Sequence, residues 1–108
     1  MLVFVVYDIV STPAGDKRRT KIVKTLEQAG LYRIQKSVFL GNINSNELDE
    51  LTVIFEKLIK DSVKLESGTA SDKVYFFPVS KDDFENVKMV GLEFDKKLIS
   101  DDILALVL

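Results

Sequence analysis

Three sets of residues in this chain have types and spacing suited to chemistry on an anion. Asp8 closes the apolar run LVFVVYD, and a carboxylate leaving a buried strand is costly unless it is paired, hydrogen-bonded or bound to a cation. Arg19 stands in the basic stretch DKRRTKIVK. At 100° per residue it shares a stripe with Ile22, Val23 and Leu26, so it faces the core just beyond the loop from Asp8. The third set is RIQKSVF: read as one strand, it puts Arg33, Gln35, Ser37 and Phe39 on a single polar face. A guanidinium, a hydroxyl and an aromatic ring on one sheet face suit phosphate contact and base stacking. Each set also has a plainer reading. Asp8 is a turn acid, Arg19 a side chain snorkelling from the end of an apolar stripe, and Phe39 a ring covered by another subunit or a tail.

What the chain lacks narrows the chemistry further. It contains no Cys and no His, which excludes disulfides, thiolate nucleophiles, Cys-bound zinc and a Ser–His pair. Ser37 therefore has no imidazole to activate it. Hydrolysis would rest on carboxylates, hydroxyls, Lys, Arg and a hard metal ion. No phosphate-binding glycine loop and no HExxH is present. The net charge of −2 hides a split: residues 1–44 carry seven basic and three acidic side chains, whereas residues 45–108 carry eight and fourteen. A local anion site on a mildly acidic protein is compatible with that asymmetry, with Arg18, Arg19 and Lys21 as the densest basic cluster. A solvated charged helix face explains the cluster equally well.

The elements that must position these residues follow from periodicity. With 108 residues, 46% hydrophobic and 30% charged, the chain has the size and balance of one globular domain. Residues 1–9 are too continuously apolar for a one-sided strand and read as a central strand buried on both faces. Residues 11–15 read as a loop, with Asp16 capping a helix that stops at Gly30. Residues 31–43 alternate as a strand, with a turn near Lys36 that splits it in two. Asn44 and Glu47 form a capping box for a second helix with the apolar stripe Leu48, Leu51, Phe55, Leu58 and Ile59. Residues 66–71 read as a polar turn. KVYFFPV at 73–79 is a strand whose Pro78 suits an edge, residues 87–94 a last short strand, and Ser100 the cap of a final amphipathic turn. The order β, α, β, β, α, β predicts an α+β, ferredoxin-like fold, with two helices on one face of a mainly antiparallel sheet. Residues 1–91 form the domain. Residues 92–108 form an apolar C-terminal strand or tail that packs on a partner. No apolar run approaches the roughly 20 residues that span a bilayer, and the N-terminus has no basic segment or cleavage site of a signal peptide, so the expected location is the cytoplasm, away from membranes.

MLVFVVYDI, the basic helix DKRRTKIVKTLEQAG and LYRIQKSVFLGNI together resemble the Cas2 family of small CRISPR-associated adaptation proteins. KVYFFPV is similar to a later strand of that family. The resemblance implies a ferredoxin-like homodimer in which Asp8, ending the first strand, faces its mate near the two-fold axis and holds a divalent metal, Mg²⁺ or Mn²⁺. By the same resemblance Asp8 is the catalytic residue. Arg19, Arg33, Ser37 and Phe39 match positions linked to nuclease activity, and Lys21 matches a position often basic. The implied activity is endonucleolytic cleavage of single-stranded RNA or duplex DNA, and the implied partner is the larger integrase subunit, which the dimer bridges. A non-catalytic dimeric DNA-binding adaptor is the alternative.

Overall fold

In the computed structural model, which describes residues 1–65 and 72–96, the N-terminal apolar run is strand β1, Leu2–Asp8. It is flanked on both sides: β3 (Val38–Asn42) pairs with one edge and β4 (Lys73–Val79) with the other, both antiparallel, and β2 (Tyr32–Gln35) completes the order β2-β3-β1-β4. That inner position goes with the hydrophobicity of β1: the helices cover one face fully, and the other is covered at Leu2 and only partly at Phe4 and Val6. Val3 and Val5 are fully buried and Tyr7 nearly so on one face; Leu2 is buried on the other. β4 lies at the sheet edge, where Pro78 interrupts no inner ladder.

Helices α1 (Pro13–Gln28) and α2 (Ser45–Leu65) cover the face bearing Val3, Val5 and Tyr7. Helix α1 starts three residues before the expected Asp16 cap. Thr12 is the N-cap, its hydroxyl accepting the Gly15 N–H at 3.0 Å, and Pro13 opens the first turn, where a missing N–H costs nothing. The helix ends as anticipated, with Gly30 at φ 86°, a conformation open to glycine without a Cβ penalty. In α2 the capping box forms: Asn44 Oδ1 accepts the Glu47 N–H at 2.8 Å and Glu47 Oε1 the Asn44 N–H at 3.4 Å. Leu51 and Phe55 are buried, with Leu48, Leu58 and Ile59 packed around them, and Ile22 and Leu26 of α1 meet the same cluster.

The opposite face departs from the sequence reading. Residues 87–94 form no strand. A helical turn, α3 (Lys81–Glu85), capped by the Ser80 hydroxyl, instead lays Phe84 over Leu2 and Leu40. The irregular chain after it brings Val87 and Phe94 onto the same cluster, with the Phe84 and Phe94 rings 6.4 Å apart. This cover does not reach Tyr75 and Phe77, which are half exposed. The architecture is α+β, with a ferredoxin-like strand order and both long helices on one side. The expected turn at 66–71 and the Ser100 cap lie outside the described residues, as does most of the 92–108 tail.

Candidate active site

Asp8 ends β1 opposite Lys73 of β4. Strand alternation from Leu2 through Phe4 and Val6 places it on the face that carries Tyr75 and Phe77. It is exposed, and among the described residues its carboxylate has no hydrogen-bond or ion-pair partner. The surrounding groups are held by main-chain carbonyls. Arg19 Nη1 donates to the carbonyl of Ile9 at 2.8 Å and reaches that of Val10 at 3.4 Å, while Nη2 donates to the Asp16 carboxylate.

Beyond β1 the β2–β3 turn is pinned just as firmly. The Tyr7 N–H donates to the Ser37 carbonyl at 3.1 Å. The Lys36 carbonyl accepts three donors: Tyr7 Oη at 2.9 Å, Arg33 Nε at 3.1 Å and Arg33 Nη2 at 2.6 Å. The turn is thereby clamped beside the end of β1, so that Lys36 and Ser37 stand next to Asp8. Between α1 and this turn opens a cleft of about 780 Å³. Asp8, Arg19, Arg33 and Ser37 all line it, joined by Lys24 and Lys36. Four cations and three carboxylates border it in total, and Arg19 already pairs with one of those acids, Asp16.

Four of the anticipated residues thus converge, and three do not. Phe39 faces Arg33 across the β2–β3 pair, but on the helix-covered side. It is fully buried, with Tyr7 at 6.3 Å and the Arg33 guanidinium 5.8 Å from its ring centre. The expected exposed aromatic is therefore a core residue, because the face assigned to Arg33 and Phe39 is the one α1 and α2 cover. Arg18 is also displaced from its expected role. It occupies the buried stripe of α1 with Ile22 and Leu26, and its Nε donates to Asp72 Oδ2 at 2.8 Å. Arg19 is only half-buried at the flank of that stripe, so the helix is rotated by one neighbour relative to the sequence reading. Lys21 is exposed and does not line the cleft. Sequence reasoning passed over Lys24 and Lys36, and over Tyr7 as an anchor. Their signal was weak: Tyr7 reads as one more apolar strand residue, and Lys36 as a turn residue.

The donor set bears on the expected metal. Among the described residues no three Asp, Glu, His or Cys side chains gather as a ligand set. Mg²⁺ keeps several waters and is often held by only one or two carboxylates. Asp8 fits as one such ligand.

The model of the CRISPR-associated protein Cas2 family matches residues 1–87. The chain belongs to the Cas2 family. The match takes in all of β1 to α3 and ends before the irregular segment that carries Phe94. Two similar proteins are each named CRISPR-associated endoribonuclease Cas2. The one from Korarchaeum cryptofilum is 32% identical over 89 residues, covering 82% of this chain and 83% of its own. The one from Archaeoglobus fulgidus is 31% identical over 105 residues, covering 87% and 99%. A crystal structure of Streptococcus pyogenes Cas2 superposes with a TM-score of 0.67 at 27% identity, over 84% of this chain and all of that one. Family membership accounts for the strand order. Among the described residues, no helix is long and apolar enough to cross a membrane.

Proposed function

We propose that this Cas2-family chain is a metal-dependent endonuclease, cleaving phosphodiester bonds of single-stranded RNA or duplex DNA as a homodimer, and that the dimer also bridges the larger CRISPR integrase subunits. One observation carries the nuclease reading: Asp8 is an exposed carboxylate, without a partner among the described residues, at the mouth of a cleft bordered by Arg19, Arg33, Lys36 and Ser37. The relatives' names favour RNA as the substrate.

The dimer is supported by the face on which Asp8 lies. Tyr75 and Phe77 are 51% and 50% exposed there, their rings edge to face at 6.1 Å. Covering such a pair with a second copy removes apolar area from water and brings a second Asp8 towards the first as a further ligand. Two facing carboxylates repel, and a cation offsets that repulsion. Bound there, Mg²⁺ or Mn²⁺ would lower the pKa of a bound water and stabilise the negative charge developing on the phosphoryl oxygens. The chain's own residues do the rest. Lys36 and Lys24 attract the phosphate into the cleft, the Ser37 hydroxyl donates to a non-bridging oxygen, and Arg19 and Arg33 keep the walls fixed while adding positive potential.

The test is cleavage of end-labelled single-stranded RNA and duplex DNA with Mg²⁺, with Mn²⁺ or with EDTA. Cleavage with metal and none with EDTA is expected. Binding of duplex DNA that weakens steeply with salt, without cleavage under any metal, would refute the nuclease and leave the adaptor. That second reading has its own support, because Arg19 and Arg33 already donate to protein oxygens.

A further inference from the structure

Asp72 lies just ahead of β4, far from the cleft in sequence, yet its side chain is fully buried and both of its oxygens are committed. Oδ2 accepts Arg18 Nε at 2.8 Å, and Oδ1 accepts the Val10 N–H at 2.9 Å. The Arg18 side chain is 8% exposed. Burying two opposite charges is seldom a net gain in stability over apolar side chains of similar volume, so the pair calls for a reason beyond cohesion. The geometry offers one. Val10 is the second residue after Asp8, and its backbone is held at both its N–H and its carbonyl. Its N–H goes to Asp72, and its carbonyl accepts the Thr12 N–H at 3.0 Å and lies within reach of Arg19 Nη1. Gly15 packs so close that a Cβ there would sit 2.0 Å from the Val10 oxygen. The next residue along β4, Lys73, pairs with Asp8 itself. One carboxylate therefore ties the exit of β1, the start of α1 and the start of β4 together.

We infer that Asp72 is a positioning residue for the nuclease site: through the Val10 amide it fixes the 9–10 backbone that carries Asp8 on one side and holds Arg19 on the other, and Arg18 orients its carboxylate. The inference rests on the nuclease reading of Asp8. Asp72 touches no substrate, and it acts by limiting how far the end of β1 moves relative to α1.

Two double variants separate positioning from cohesion. Asp72→Asn with Arg18→Gln removes both charges but keeps an amide oxygen for the Val10 N–H, the two amides satisfying each other. Asp72→Leu with Arg18→Leu removes both charges and the acceptor. The first should turn over within about threefold of the wild type. The second should lose about 10- to 100-fold in kcat, the usual cost of removing a partner that orients a ligand residue, with KM for a short RNA unchanged within about twofold. Amide hydrogen exchange adds a readout independent of activity: the Val10 amide stays protected in the first variant and exchanges at least about 10-fold faster in the second. Should the leucine pair fail to fold, Asp72→Glu takes its place. It keeps the charge but shifts the oxygen away from Val10, and the same fall in kcat is expected. A folded leucine or glutamate variant with wild-type kcat would overturn the inference alone. A wild-type protein that cleaves nothing with any metal would overturn the nuclease reading and this inference with it.

Discussion

Replacing Phe39 discriminates between a ring that stacks on a base and a ring that fills the core. Its side chain is fully buried against Tyr7 and under the Arg33 guanidinium, so Phe39→Ala leaves a cavity that the paired strands β1 and β3 cannot collapse to fill. Such truncations cost about 3–5 kcal/mol, a large part of the roughly 5–15 kcal/mol that holds a domain folded. Phe39→Leu keeps most of the volume and should cost about 1 kcal/mol, lowering the melting temperature by roughly 4–8 °C. A stacking ring behaves otherwise: its loss would weaken RNA binding by about 1–3 kcal/mol per base and leave stability alone. The assay pairs urea unfolding with RNA binding and cleavage per folded molecule, well below the melting temperature. Phe39→Leu should bind and cleave within about threefold of the wild type while unfolding at lower urea. An unchanged urea midpoint together with lost RNA binding would refute the assignment of Phe39 to the core.

Asp8→Asn should lower metal-dependent cleavage at least about 100-fold, because metal activation of water is worth several kcal/mol of barrier, while circular dichroism and the melting temperature stay at or above wild type; full activity in a folded variant would rule out Asp8 as the ligand. Gly15→Ala should destabilise by about 1–3 kcal/mol despite alanine's better helix propensity, since its Cβ would meet a backbone oxygen at 2.0 Å; thermal unfolding at or above the wild-type temperature would contradict the close approach. Tyr7→Phe should cost only about 0.5–1.5 kcal/mol in urea unfolding, because Arg33 still donates twice to the Lys36 carbonyl. A larger loss would mean that the hydroxyl, not Arg33, holds the turn.

The parts of the fold that were legible from the sequence are those set by local pattern. The continuous apolar run gave β1 its inner place, the Asn44–Glu47 capping box started α2, and Pro78 put β4 at an edge. The misplaced parts depend on partners distant in the chain. A helical wheel centres the buried stripe on Ile22, Val23 and Leu26, which favours Arg19. The actual stripe includes Arg18, because a buried acceptor waits 54 positions away at Asp72, and a wheel has no means of locating it. The start of α1 is ambiguous for a local reason: Thr12-Pro13 and Asp16 are both sound openings, and the proline at the first helical position decides between them. For Phe39, even-numbered Tyr32, Ile34, Val38 and Leu40 marked one apolar face and left the odd face polar by default. In the fold both faces of β3 are covered, one by the long helices and the other by Phe84 of α3, a single aromatic in the charged turn KDDFE.

Arg19 and Arg33, the two arginines expected to contact phosphate, also brace the backbone of the site. Arg19 and Arg33 line the cleft beside Asp8, yet each directs N–H donors at main-chain carbonyls, Arg19 at Ile9 and Arg33 at Lys36. A guanidinium has five donors in a rigid fork and no acceptor, so it can brace the backbone with some and still face a phosphate with others. Lysine would brace less well, as its ammonium lacks the planar fork. The flexible charges of the cleft are Lys24 and Lys36, both exposed and suited to drawing in a polyanion rather than fixing it. Such a division of labour suits a site whose charged groups are held before a substrate arrives, because electrostatic stabilisation is most effective when no reorganisation accompanies the reaction. The pinned carbonyls of Ile9, Val10 and Lys36 surround Asp8 on both sides, and it is this fixed backbone, more than the net charge of the cleft, that sets the site apart from an ordinary basic groove.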